Sequence, residues 1–363
     1  MEEFRETLDP TSDLIEFLNP LGSDNAYYLD TGWVSSDSTI ELPDSTSIWS
    51  ADKNSIGIND PVKLTWTSDQ NITFEKIISL DEDYLFSVDQ RVINNSGLSF
   101  DLYPYGLSKR QGIPEMQNFF ILHEGPLSIT DSVLKEYDYD DLKDDKKIKH
   151  PSIGGWIGMT DKYWQTAIIP NQNEPVQQTY SYSFVDNVDN FQTDIVGQKI
   201  AVSNNASISH NFMIFAGPKI VKVIDKYMEE YGVQEFDRSV DFGWFYFLTK
   251  PIFHTLEFIF GYVGNFGWSI IIFTILMRIC FFPLAQQSFK SMAKMKKLAP
   301  EMQRLKEQYG DDRAGMQKEM MALYKKEKAN PIAGCLPILL QIPVFFALYK
   351  VLFVTIEMRH APF

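Results

Sequence analysis

Apolar and polar residues alternate along the chain up to about residue 220, and beyond it apolar positions cluster in long runs. The clearest alternation lies in Asp83-Tyr-Leu-Phe-Ser-Val-Asp-Gln-Arg-Val-Ile93. Tyr84, Phe86, Val88 and Val92 occupy every second position there, and only Gln90 interrupts. Asn94-Asn95-Ser96-Gly97 supplies turn chemistry, and Leu98, Phe100 and Leu102 resume the alternation. That pattern predicts a hairpin. Further short strands are expected at Thr73–Leu80, Phe119–Leu122, Gly155–Met159 and Thr166–Ile169, separated by turn residues as in a β-sandwich. The dense charge run from Asp138 to Lys149 reads as an exposed loop. There is no internal repeat.

The period changes at Ala216–Glu230, where Ile220, Val221, Val223, Ile224 and Met228 predict a helix leading out of the β-region. Residues 241–263 are rich in Phe, Tyr and Trp but punctuated by Lys250, Pro251, His254 and Glu257. Aromatic and charged residues mixed in this way suit the headgroup plane better than the hydrocarbon centre. The other reading is a core helix of the β-region. Phe266 to Ala285 is then a spanning candidate, since about twenty residues at the helical rise cover about 30 Å. Arg278 is the one charge inside it. Ile332 to Val354 is a second candidate, interrupted by Gln341 and Lys350, with Lys350 expected to snorkel outward. Pro337 and Pro343 would break a soluble helix but are tolerated in a membrane where neighbours satisfy the freed carbonyls.

Charge sharpens the division. Met1–Val240 holds 39 acidic and 18 basic residues, and Asp241–Phe363 holds 9 and 15, so the overall −15 conceals halves of −21 and +6. Between the two spans, Gln286 to Pro331 carries eleven Lys/Arg and six Asp/Glu. A short basic loop between spans belongs in the cytoplasm, which puts the acidic β-region and the residues after about Glu357 outside. The two cysteines, Cys280 and Cys335, both lie in apolar runs, so no disulfide framework is indicated. Glu2, Glu3 and Glu6 follow Met1 directly, so no leader is expected within these residues, and the feature that exports the β-region is expected elsewhere.

The chemistry concentrates on Arg278. Arg at the centre of a spanning helix costs about 2.5–3.5 kcal/mol, while each strongly apolar residue recovers about 0.3–0.6 kcal/mol. A residue carried at that cost faces a wet cavity or a partner, unless it snorkels or pairs with a carboxylate on another helix. Thr274 is one helical turn earlier, on the same face. Gln341 is the polar group of the second span. If the three converge, they line a hydrophilic groove. The plainer readings are a Thr274 hydroxyl back-bonding to its own helix and Gln341 as glue between helices.

The basic loop predicts a helical hairpin. Phe289, Met292, Met295 and Leu298 recur at helical spacing, Met302, Leu305 and Tyr309 continue after Pro300, and Gly310-Asp311-Asp312 breaks the run before Met316, Met320, Leu323 and Tyr324. Six of the thirteen methionines fall here, and methionine-rich faces adapt to varied apolar partners. Lys294, Lys296, Lys297 and Lys325 beside Met292, Met295, Met320 and Met321 are the candidate contacts, for anionic lipid or ribosomal RNA phosphates as well as apolar segments. A self-packed hairpin with a solvated basic face accounts for the same pattern.

Enzyme chemistry is not indicated. The chain has no phosphate-loop pattern, and its five histidines, His123, His150, His210, His254 and His360, form no metal-spacing pair, so no metal or cofactor is expected. His123-Glu124 has the composition of an acid/base pair, but a satisfied histidine at a strand end is the simpler account.

Asn265-Phe-Gly-Trp-Ser-Ile-Ile-Ile, with Arg278 and Pro283 after it, resembles the first core helix of the YidC/Oxa/Alb family of membrane protein insertases. Ser291-Met-Ala-Lys-Met295 and Glu319-Met-Met-Ala-Leu-Tyr-Lys325 resemble the arms of that family's cytoplasmic hairpin. Asn330-Pro331, Gly334-Cys335, Pro337, Gln341, Pro343 and Ala347-Leu-Tyr349 resemble the next core helix. Asn118-Phe-Phe-Ile-Leu-His-Glu-Gly-Pro126 and Gly155-Trp156 resemble the large periplasmic β-supersandwich of the bacterial form.

The resemblance implies a multi-domain α+β protein of the bacterial inner membrane. Its expected parts are a periplasmic β-sandwich with a linking helix over 1–240, an interfacial amphipathic helix over 241–265, a transmembrane helix over 266–285, a basic cytoplasmic hairpin over 286–331, a transmembrane helix over 332–354 and the start of a further periplasmic segment over 355–363. It implies insertion and folding of membrane proteins without nucleotide hydrolysis, through a groove carrying Arg278, Thr274 and Gln341, with Pro283, Gly334, Pro337 and Pro343 shaping the helices. Implied partners are nascent membrane proteins, phospholipid, the Sec translocon, and the ribosome with the signal recognition particle pathway, but not DNA. The family's anchor helix and later spans are not among these residues, so a piece cut at both ends is expected. The rival reading is a membrane-anchored periplasmic protein that binds a glycan or a peptide.

Overall fold

The computed structural model describes residues 4–9, 11–116, 121–310, 312–327 and 336–361. It divides into a unit formed by the chain up to Asp241 with Val354–His360, and a second formed by Phe242–Phe353 with the last three residues.

The first unit is two antiparallel sheets face to face. One runs in the order β1 (Tyr27–Val34), β6 (Phe100–Gln111), β13 (Val188–Val196), β12 (Pro175–Val185) and β9 (Lys147–Ile153), with β14 (Ile200–Val202) also on β6. The other runs β2 (Ser50–Ala51), β3 (Val62–Thr67), β4 (Ile72–Leu80), β5 (Leu85–Asn94), β15 (Ser207–Pro218), β11 (Trp164–Ile169), β10 (Trp156–Thr160), β7 (Gly125–Thr130) and β8 (Val133–Glu136). Alternation drives the pairing of layers. Phe100 and Leu102 of β6 meet Ile72, Phe74 and Val92 of the opposite sheet in one core cluster. Tyr180, Phe191 and Ile195 meet Ile157, Met159, Ile168 and Phe212 in the other. Burying such side chains contributes roughly 1.5–3 kcal/mol each, the main force holding the layers together.

The expected hairpin at residues 83–102 is not one. Both strands form, but β5 lies in the second sheet and β6 in the first, so Asn95–Ser99 carries the chain across the sandwich. Asn94 organises the crossing, its buried amide donating to the carbonyls of Leu98 at 2.7 Å and Ser203 at 3.1 Å. Gln90 does not interrupt the inward face either; it is fully buried on it. The long hairpin is instead β12–β13, closed at Asp186-Asn187, whose φ of 52° and 64° suit the two-residue turn that matches strand twist.

The charge run 138–149 is also not a loop. It holds helix α1 (Tyr139–Asp145) and the start of β9, because Tyr139 and Leu142, three apart, are buried in the core while the charges face out. Strands occur at the expected 73–80, 155–159 and 166–169 positions with ends shifted by one or two residues. Of the expected 119–122 strand, 119–120 lie outside the described residues and 121–122 are not strand. The 216–230 helix begins later, as α2 (Val221–Glu230), since β15 runs to Pro218. Ile220 offers no capping side chain at its start; the Glu357 carboxylate accepts from the Val221 N–H at 2.8 Å instead.

A buried ion pair crosses the sandwich. Arg110 of β6 grips Asp161, at the β10–β11 turn, through two hydrogen bonds of 2.6 and 2.7 Å. Its guanidinium also lies 4.1 Å from the centre of the Tyr27 ring and donates to the Tyr139 hydroxyl at 3.2 Å. Burial opposes the Arg110 charge, but the hydrogen bonds and charge of Asp161 outweigh it and raise its pKa. Burial pushes the Tyr139 hydroxyl up to about 12.

The second unit is helical. Helix α3 (Tyr246–Val263) ends at Gly264, whose φ of 68° turns the chain. Asn265 then caps α4 (Phe266–Tyr309), accepting from the Trp268 N–H at 3.1 Å. The buried face of α3 is Thr249, Ile252, Phe253, Leu256 and Ile259, and Phe260 stacks on Phe266 of α4 at 4.0 Å. The first span and first hairpin arm are one helix of 44 residues, running through Pro283 and Pro300. Gly310 ends it and Asp312 opens α5 (Arg313–Lys326), the side chain accepting from the Gly315 N–H at 3.0 Å. Helix α6 (Leu336–Val354) follows, and the start of the expected second span, 332–335, lies outside the described residues.

Candidate functional site

Among the described residues two helical stretches are long and apolar enough to cross a bilayer, one in α4 and one in Pro337–Val354 of α6. Only 11% of the first apolar window and 28% of the second is buried within the molecule. Ile275, Leu276, Ile279 and Phe282 on α4 and Ile338, Leu339, Phe345 and Phe346 on α6 are all exposed. Contiguous apolar surface on this scale is unfavourable in water and is the normal lining of a helix solvated by lipid.

Arg278 stands in the middle of the α4 window, exposed. Among the described residues it makes no ion pair and no hydrogen bond. Thr274 is on the same face one turn earlier, and its hydroxyl donates to the Ile270 carbonyl of its own helix at 2.8 Å. Gln341 is exposed on α6. No hydrogen bond joins the three among the described residues.

Of the helix-shaping candidates, Pro283 and Pro343 lie inside α4 and α6, Pro337 opens the first turn of α6, and Gly334 is outside the described residues. Asn330, Pro331 and Cys335 are likewise outside them. On the two helical arms Met292, Met321, Lys294, Lys296, Lys297 and Lys325 are exposed, and Met295 and Met320 are half-buried. Tyr324 reaches from α5 to the Met302 sulfur of α4 at 3.7 Å, so part of the methionine face is used internally. Lys350 is 8% exposed, and its Cε lies 3.4 Å from where a Cβ at Gly243 would sit, an ordinary van der Waals approach.

In the β-unit His123 and Glu124 are structural. The imidazole Nε2 is 3.2 Å from the Pro126 carbonyl, and Glu124 accepts from the Lys162 N–H at 3.1 Å. A different pair, not evident from the sequence, is His210 Nε2 and the Glu174 carboxylate, 3.2 Å apart. They are 36 positions apart, Glu174 in the loop between β11 and β12 and His210 on β15, and no spacing rule links them. No group of three or more metal-binding side chains occurs among the described residues.

A two-layered β-unit joined to helices that expose apolar flanks around an arginine in the middle of the first apolar stretch defines a membrane-anchored protein with a large domain outside the bilayer. The family model described as YidC periplasmic domain matches residues 1–255, and that described as 60Kd inner membrane protein matches residues 258–363. The chain belongs to the YidC family, inner-membrane proteins with a large periplasmic domain. It is 44% identical over 364 residues to the membrane protein insertase YidC of Rickettsia canadensis (strain McKiel), covering 100% of this chain and 65% of that protein. The relative from Rickettsia rickettsii (strain Iowa) is 43% identical with the same coverage. The chain thus spans about 65% of the length of these curated relatives. A solved structure of an active YidC insertase aligns at 19% identity and a TM-score of 0.31, covering 93% of this chain and 65% of that one. A galactose mutarotase related enzyme from Lactobacillus acidophilus aligns at 8% identity and a TM-score of 0.34, covering 46% and 70%.

Proposed function

We propose that this chain is the part of a membrane protein insertase that receives polar segments of a substrate into the bilayer through Arg278. The observation that carries the reading is a guanidinium in the middle of an apolar span, with no carboxylate partner among the described residues. Beside lipid such a charge is weakly screened and attracts acidic or polar tails of an incoming segment. Thr274 and Gln341 add hydrogen-bonding capacity to a water-accessible groove, which shortens the dry distance a polar tail must cross. The substrate's apolar stretch then partitions into lipid. At roughly 0.3–0.6 kcal/mol for each strongly apolar residue, a spanning segment gains enough that no nucleotide hydrolysis is required.

The family relationship supports the activity, since the similar proteins are named insertases. Segment 354–360 belongs to the same unit as the strands, so the chain leaves that unit before α3 and returns to it after α6. Two crossings, by α4 and α6, account for this return and leave the basic 286–331 stretch in the cytoplasm, with 241–265 at the interface. There the exposed lysines and methionines of the hairpin suit nascent chains, anionic lipid and ribosomal RNA, and the Sec translocon and signal recognition particle pathway are the proposed sources of substrate. A membrane-anchored periplasmic glycan- or peptide-binding protein accounts for the apolar spans as an anchor but gives no reason for Arg278 within the first.

In the complete protein reconstituted in liposomes, Arg278→Ala is expected to lower insertion of a substrate with an acidic translocated tail, and Arg278→Lys to retain most of it. Equal insertion by wild type and Arg278→Ala would exclude the electrostatic role.

A further inference from the structure

The second sheet is the wider of the two, and beyond β1, the edge strand of the first, no strand of the first sheet covers its inner face among the described residues. There the inward residues Val62, Leu64, Ile78, Phe86, Val88 and Ile214 floor a cavity of about 790 Å³. Tyr27–Thr31 of β1 form one wall and the loop after β2 another. That volume falls in the usual range of small-molecule sites, about 300–1,000 Å³. Water in contact with such a floor is unfavourable, and an apolar ligand removes the contact.

The edge of β1 argues against a peptide as occupant, because an added strand needs a run of free backbone groups. Tyr27 exchanges both of its edge hydrogen bonds with Asn19, at 2.8 and 2.9 Å. The Thr31 carbonyl accepts from Lys76 Nζ, and the Thr31 N–H donates to the Asp30 carboxylate at 2.8 Å. Between Tyr27 and Thr31 that leaves only Leu29 with free edge groups among the described residues, which is too short for a ladder. Lys76, inward on β4, is itself held by Asp30 at 3.0 Å and lies 5.1 Å from the centre of the Trp49 ring. A sugar finds no side-chain donor or acceptor on the six floor residues. The rim differs from the floor. Lys53 lines it at 33% exposure, while Asp60, its ion-pair partner, is 63% exposed and outside the lining. An ion pair so open to water is weak and readily exchanged. The lining carries two lysines and one aspartate in a region of net −21, so it favours an anion where the surrounding chain does not.

We propose that this cavity binds a long-chain fatty acid, its acyl chain along the floor and its carboxylate at Lys53, beside the Asn54 and Ser55 donors. An acyl chain has no hydrogen bonds to satisfy, and every methylene it buries adds to binding. Its carboxylate replaces Asp60 as the partner of Lys53. The site lies wholly within the β-unit, so it neither requires nor follows from the role of Arg278.

The complete protein is reconstituted in liposomes with a palmitate analogue carrying a diazirine at the chain end, irradiated, and mapped by peptide mass spectrometry. Label is expected on residues 62–88 as well as on the apolar stretches of α4 and α6, which serve as the internal reference. Excess palmitate should remove the 62–88 label, and hexadecanol should do so at least about tenfold less well. Lys53→Glu, a change on an exposed loop, should lower the 62–88 label at least about fivefold at unchanged melting temperature and leave the label on the helices as it is. The matching alcohol probe should be indifferent to that change. Label confined to the helices, a 62–88 label untouched by Lys53→Glu, or displacement by an apolar heptapeptide rather than by palmitate, which would assign a strand-like occupant, would overturn the proposal.

Discussion

Arg278, Lys350 and His210 are polar groups in unfavourable surroundings, and each is accommodated differently. Arg278 is held on an apolar helix without a partner among the described residues, which is costly unless water or a substrate reaches it. Lys350 is largely buried beside Gly243. His210 is buried against Glu174, and burial lowers its pKa from 6.5, with the Glu174 hydrogen bond opposing the shift. The sign of the consequence follows. Below 6.5 the unfolded chain takes up a proton that the folded imidazole resists, so stability falls as the pH drops from 6.5 toward the folded value. Melting temperatures of the full chain across about pH 5–8 are expected to decline on the acid side, and His210→Gln should flatten that decline. The position of Arg278 was legible in the sequence because a charge in an apolar run is a local signal. The His210–Glu174 pair was not, because its partners meet only where the loop between β11 and β12 folds beside β15.

At the scale of elements, periodicity was a good guide to existence and a poor guide to partnership. Alternation at Val88, Val92, Phe100 and Leu102 marks inward faces in both strands, but an inward face is the same whether the next strand pairs beside it or opposite it. The turn chemistry at 94–97 serves a crossover as well as a hairpin. Charge density likewise concealed α1, whose two buried residues are outnumbered by its acidic ones. The Arg110–Asp161 pair joins elements of the two sheets, and at 11% and 17% exposure it is little screened. Asp161→Asn is expected to destabilise the β-unit by roughly 3–5 kcal/mol, because it strands the guanidinium. Arg110→Met with Asp161→Leu should cost less than the single change. Urea unfolding followed by tryptophan fluorescence distinguishes them, and equal losses would mean the pair contributes packing rather than charge.

For the whole molecule, the proposed function assigns insertion to the basic helical unit and not to the acidic strand-rich one. Deleting residues 1–220 from the complete protein is expected to leave much of the insertion activity, measured in the same liposome assay, whereas loss of all activity would favour a function centred on the β-unit. The sequence alone determined the division into two environments, the two apolar windows, the basic stretch between them and the arginine within the first. All of these are properties of contiguous residues, set by local period and charge. Only the tertiary structure decided which strands share a sheet, that the span and first hairpin arm are one helix, and which buried groups find partners. Those outcomes rest on contacts between residues far apart in the chain, whose energies no local pattern encodes.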